Sequence, residues 1–180
     1  TNLDGADLAG AKLSGAIYDA TTTFPEGFDP ARAKAYHIDA HASLPKARLQ
    51  WANLRGANLP HANLEGAEMA GVDLYEACLD GAKLASANLY GAFMRLAVLD
   101  GADLSDVVLQ GAILDSVSLR DANLRGANLK WADLTEADLR DANLEGAHLD
   151  DARPRRARYN RKTVLPEGFD PRQAGMISAA

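Results

Sequence analysis

Ala122-Asn-Leu-Arg-Gly, Ala127-Asn-Leu-Lys-Trp, Ala132-Asp-Leu-Thr-Glu, Ala137-Asp-Leu-Arg-Asp and Ala142-Asn-Leu-Glu-Gly follow one another without a gap. In this five-residue beat the central Leu and the Ala two residues before it are the apolar positions. On a helix successive leucines would be rotated by ~140° from one another, so no apolar stripe could form. That excludes an amphipathic helix and a heptad coiled coil. On an extended segment residues two apart share a face, so Ala and Leu point one way and the Asn or Asp between them points the other. The last two positions, rich in Gly, Asp, Glu, Arg and Ser, are free to turn a corner. Short strand, corner, short strand, corner describes a solenoid.

The beat extends outward from this stretch at a strict spacing of five, from Leu44 to Tyr159, giving 24 consecutive centres. Of these, 20 are Leu, with Met69, Met94, Pro154 and Tyr159 as exceptions, and the preceding apolar position is Ala in 21 of the 24. An array of that regularity does not arise by chance. It resembles the pentapeptide-repeat family, A-(D/N)-L-x-x, of the cyanobacterial type that carries F-P-E-G-F-D-P cap segments. The resemblance implies an all-β solenoid, a right-handed quadrilateral β-helix with four pentads to a coil. Spacing alone establishes neither the handedness nor the number four.

The same beat occupies residues 1–18, with centres at Leu3, Leu8, Leu13 and Tyr18. The chain opens inside a repeat without an initiator Met, which suggests a processed, trimmed or partly observed protein, and no signal peptide is recognisable. Residues 19–41 then break the pattern. Tyr18 to Pro30 aligns without a gap on Tyr159 to Pro171, and both copies contain Pro-Glu-Gly-Phe-Asp-Pro. Pro-Glu-Gly is a turn signal, and Asp29-Pro30 and Asp170-Pro171 read as an N-cap followed by Pro at a first helical position. Short helices are therefore expected at about 30–38 and 171–176. The resulting organisation is a first coil at 1–18, an insertion or internal cap at 19–41, a main β-helix at 42–160 and a C-terminal cap at 161–180. Four centres before the break and 24 after it make about seven coils of four, with open apolar ends that gain by stacking. One continuous rod of roughly 34 Å with the 19–41 segment protruding is the expectation.

Composition narrows the function. With 47% hydrophobic and 6% aromatic residues the core should be a narrow one of Ala and Leu, and no apolar run is long enough to span a membrane. The lone Cys78 excludes an internal disulfide and sits at an outward position. A cytoplasmic location is the working expectation, with a lumenal or periplasmic one after processing left open. No phosphate loop, nucleophile elbow or metal-ligand spacing occurs, apart from the proximity of His37, Asp39 and His41 in the insertion. The chain is thus read as a non-enzyme without cofactor or metal.

Two surface features stand out against the repeat. If residues 20 apart stack, the outward Phe93 and Ile113 lie on one face, joined there by Tyr75 and Leu96, and the four form a candidate apolar contact patch. Arg153, Arg155, Arg156 and Arg158 make a candidate basic rim on the last coil of a chain whose net charge is −6. Some members of the family, the quinolone-resistance type, resemble a DNA duplex in shape and charge and bind gyrase. That alternative needs a continuous acidic stripe, but the column Asp80, Asp100, Arg120, Arg140 reverses sign at its middle. The favoured reading is a non-catalytic structural or protein-interaction scaffold with an unknown protein partner. A homodimer is left open, and neither a nucleic acid nor a membrane is expected as a partner.

Overall fold

A computed structural model of the chain describes residues 1–179. Parallel bridges join residues 20 apart along four columns, as in Ser43 to Asn63, Arg48 to Glu68, Asn53 to Asp73 and Asn58 to Cys78. A period of 20 residues made of five-residue sides gives four walls per turn. Each wall contributes one bridging residue per coil. The residue before it and the residue after it point into the lumen, which is why Ala62, Leu64, Ala67, Met69, Leu74 and Leu79 are fully buried. Met69 and Met94 occupy leucine positions without being exposed, because Met adapts to the same column. Among the described residues no polar or charged side chain is buried, so the core is apolar throughout, mostly Ala and Leu. Each fully buried leucine contributes about 1.5–3 kcal/mol against the ordering of its short segment.

The corners are built by one recurring turn. The Ala N–H donates back to the preceding Leu carbonyl, as in Ala67 to Leu64 at 3.0 Å and Ala87 to Leu84 at 3.0 Å. The fifth position of each pentad has positive φ, the second central residue of a type II turn. Between coils the ladder is regular: Leu64 N donates to the Lys83 carbonyl at 2.7 Å and Asn63 N to the Ala42 carbonyl at 2.8 Å. Asn and Asp recur at the outward position because the side chain caps the next corner. The Asn63 Oδ1 accepts from Glu65 N at 3.1 Å, and the Asn88 Oδ1 from Tyr90 N at 3.1 Å.

The two breaks in the pattern fold alike. Asn2 bridges Thr23, and β1 (Ile17–Tyr18) pairs in parallel with β2 (Tyr36–His37). At the other end Asn143 bridges Val164, and β3 (Arg158–Tyr159) pairs with β4 (Ile177–Ser178). The offsets, 21 and then 19 residues, are the same in both places. Residues 19–38 therefore do not protrude from the rod, as the sequence suggested, but form an irregular coil over residues 1–18.

The expected short helices are also absent. Asp29 Oδ1 accepts from Ala31 N and Arg32 N, and Asp170 Oδ1 from Arg172 N and Gln173 N, as N-caps do. Only a single turn follows, because Lys34 and Gly175 enter the left-handed region and return the chain to strand. The expected continuous stack is interrupted as well. No backbone hydrogen bond among the described residues joins 1–38 to the ladder that begins at Ser43. Tyr36 and Ile38 instead cover part of its open end through side chains, and Arg48 N donates to the Tyr36 hydroxyl at 3.3 Å. The physical reason lies in the insertion, where Pro25 and Pro30 have no N–H and the shifted offsets leave no regular edge to pair.

Candidate functional site

One wall differs from the other three. Its central column runs Asn53, Asp73, Phe93, Ile113, Asp133, Arg153, each bridged to the next. One edge carries Trp51, Gly71, Gly91, Gly111 and Trp131, with Tyr90 beside Gly91. The opposite edge carries Arg55, Tyr75, Arg95 and Leu96. Within residues 42–161 the exposed large apolar side chains are Trp51, Tyr90, Phe93, Leu96, Ile113 and Trp131, and all six lie on this wall or its two edges.

Of the four patch residues expected from the sequence, the structure places Phe93 and Ile113 side by side in adjacent coils with Leu96 at the corner next to Phe93. Tyr75 is half-buried, and the Arg55 guanidinium lies 4.1 Å from its ring centroid. Its hydroxyl titrates above the usual tyrosine range because of the neighbouring Glu76 carboxylate. Phe93 and Ile113 also forgo the corner cap that Asn or Asp provides: among the described residues neither Arg95 N nor Asp115 N has a side-chain acceptor. The corner residues Trp51, Tyr90 and Trp131 were not picked out from the sequence, because corner positions read as free turn residues. The signal was present, since 51 and 131 differ by four full turns.

Trp51 is held flat. A Cβ placed on Gly71 would stand 2.2 Å from its six-membered ring, so the indole rests on the glycine backbone of the next coil. The side chain is nonetheless 78% exposed, leaving its outer ring face free. The Trp131 indole N–H donates to Asp151 Oδ2 at 3.2 Å, tying that ring toward the next coil in the same direction.

Half of the basic rim is paired. Arg153 pairs with Asp133 at 3.1 Å and Arg156 with Glu136 at 3.4 Å, each one coil back, while Lys162 reaches Asp141 at 3.2 Å. Arg155 and Arg158 have no ion pair among the described residues. In the mixed column Asp100 accepts from the Ser118 hydroxyl at 2.5 Å and from Arg120 N at 3.0 Å, and Arg140 forms a two-bond fork with Asp138. That fork holds the Asp138 carboxyl below the ordinary carboxylate range.

His37 Nδ1 contacts Asp39 at 3.3 Å, but His41 turns to stack on His61 at 5.2 Å, and no group of three ligating side chains converges among the described residues. A cleft of about 490 Å³ separates residues 17–22 and 38–40 from 53–58. Asp19, on its lip, accepts hydrogen bonds from Thr21 and Thr22 that lower its pKa. Among the described residues no helix is long and apolar enough to cross a membrane.

The pattern described as "Pentapeptide repeats" matches in eight copies, over residues 47–84, 77–115, 102–141 and 137–158. The chain belongs to the pentapeptide-repeat family. Membership makes the four-sided solenoid a right-handed quadrilateral β-helix. Among solved structures the pentapeptide-repeat protein HetL, involved in heterocyst differentiation regulation in the cyanobacterium Nostoc sp. strain PCC 7120, is 27% identical. The match covers 98% of this chain and 82% of that one with a TM-score of 0.55. The pentapeptide-repeat protein Rfr23 of the cyanobacterium Cyanothece 51142 is 35% identical over 49% of this chain, with a TM-score of 0.36. The match spans 63% of Rfr23's own length. QnrB1, a plasmid-mediated fluoroquinolone resistance protein, is 18% identical over 99% of this chain and 89% of its own, with a TM-score of 0.49. No protein with a curated description matches.

Proposed function

We propose that this pentapeptide-repeat protein is a non-catalytic binding scaffold whose working surface is the single wall centred on Phe93. One observation carries the reading: every exposed large apolar side chain of residues 42–161 lies on that wall or at its two edges. Two of them, Phe93 and Ile113, occupy positions where Asn or Asp would cap a corner, so the chain gives up local hydrogen bonds to present them. Aromatic residues of this kind supply most of the energy of a contact.

The gyrase-binding alternative is disfavoured by charge. A DNA-like surface needs an uninterrupted negative row, and here Asp100 and Arg140 are each engaged by neighbours within a column that changes sign.

The double variant Phe93→Asn, Ile113→Asn tests the reading. It should melt at an unchanged or slightly higher temperature, because each Asn restores a corner acceptor. Immobilised beside the native chain, it should lose protein or carbohydrate that the native chain retains from a lysate of the source cells. Equal retention by both would overturn the assignment of this wall.

A further inference from the structure

We propose that the edge bearing Trp51, Tyr90 and Trp131 is a binding strip for a linear, uncharged, β-1,4-linked glycan lying parallel to the solenoid axis. The proposal deepens the reading of this wall as a binding surface and rests on it.

The spacing comes from the fold. Trp51 and Trp131 share one column four coils apart, about 19 Å at ~4.8 Å per coil, and Tyr90 stands midway between them on the neighbouring residue of the same corner. At the same corner Gly71, Gly91 and Gly111 project nothing between them. In an extended β-1,4-linked chain successive sugars are flipped over, so the same ring face recurs once per disaccharide, at a length close to two coils. The two indoles, about two such lengths apart along the axis with Tyr90 midway, suit such a chain and do not suit a coiled α-linked one.

The platforms have the required form. Trp51 lies against Gly71 with one ring face in solvent, Trp131 is tethered through its indole N–H, and Tyr90 is 54% exposed. Aromatic faces take the C–H face of a sugar, while hydroxyls at its rim need polar partners. Gln50 stands on the same edge, as does Gln110, whose Oε1 accepts from the Asn128 amide at 3.3 Å and whose own amide N–H groups can supply them.

Other occupants fit less well. Cations along the wall are matched by carboxylates, Arg55 by Asp73 at 3.2 Å, Arg95 by Asp115 at 2.8 Å and Lys130 by Asp150 at 3.4 Å, so single-stranded nucleic acid, which needs a cationic groove, finds no surplus positive charge. A protein partner needs area. Five residues wide at ~3.3 Å each and six coils long at ~4.8 Å each, the wall has a flat footprint of roughly 475 Å², small beside the ~800 Å² of accessible surface that each partner of a standard interface buries. A single extended polymer chain needs only the strip.

The test is titration of the intact protein with cellohexaose, chitohexaose and, as control, maltohexaose, followed by tryptophan fluorescence and calorimetry. Saturable binding of at least one β-linked hexamer and none of maltohexaose is expected. Trp51→Ala and Trp131→Ala should each weaken binding at least tenfold with unchanged circular dichroism and melting temperature, and Trp51→Tyr should keep most of it. No binding of either β-linked hexamer, equal binding of maltohexaose, or binding indifferent to both alanine variants would overturn the proposal. If the hexamers fail while the Phe93→Asn, Ile113→Asn variant still loses lysate material held by the native chain, the glycan assignment falls and the binding wall stands. If neither experiment shows a difference, both fall.

Discussion

Strain at this protein's corners is distributed rather than concentrated. Ser86 and Asp106 sit near φ of 56° and 55°, a region that costs an L-residue about 1 kcal/mol or more, while Gly101 occupies the same position at 65° without that cost. A Cβ on Gly101 would meet nothing within 4 Å, so Gly101→Ala isolates the backbone term. It should lower stability by about 1 kcal/mol in urea denaturation, whereas Ser86→Gly should raise it by a few tenths up to about 1 kcal/mol. Charged residues show their contribution through pH. The Arg140 fork depresses the Asp138 pKa in the folded chain, so its contribution is fully present above the unfolded carboxylate pKa of about 4 and is lost as pH falls through the lower folded value. Arg140→Gln should therefore reduce stability at neutral pH and flatten the decline below about pH 4, as read from denaturant midpoints across the acid range.

The coil is the element that carries stability, because its leucines are buried only by the coils above and below. Leu99 and its column neighbour Leu119 are 0% and 1% exposed, so Leu99→Ala should cost about 2–5 kcal/mol and Leu99→Asp should abolish cooperative melting in circular dichroism. A soluble Leu99→Asp protein with an unchanged transition would refute the packing. This element was legible in the sequence, since the Ala-x-Leu spacing forces both side chains to one face and the corners follow from what is left over. The cap segments were legible only as a repeated motif. Asp29-Pro30 carries a true helix-start signal, yet the backbone turns left-handed at Lys34, a position whose Lys gives no warning of positive φ. The wall was half-legible: Phe93 and Ile113 are conspicuous because they replace Asn or Asp, whereas Trp51 and Trp131 matter only once a 20-residue turn assigns them to one edge. The interruption between Ile38 and Ala42 could not be read, since it depends on how an irregular coil presents its edge.

At the scale of the whole molecule, charge is mixed around the rod, and stoichiometric protein should leave supercoiling by purified gyrase unchanged. Inhibition that weakens with salt and disappears on neutralising Asp80 and Asp100 would restore the mimic reading. The two periods of the fold, five residues to a side and 20 to a turn, also govern what the chain tolerates by insertion and deletion. Removing residues 82–86 keeps every later Leu inward, so the shortened protein should still melt cooperatively. It also swings everything downstream through a quarter turn, so that Trp131 faces a different direction from Trp51. Removing a full 20 residues restores the direction and only shortens the distance. Core and surface therefore answer to different arithmetic: a lineage of such chains can gain or lose single pentads almost silently in stability while reshuffling which residues are neighbours, as the dials of a combination lock turn on one spindle.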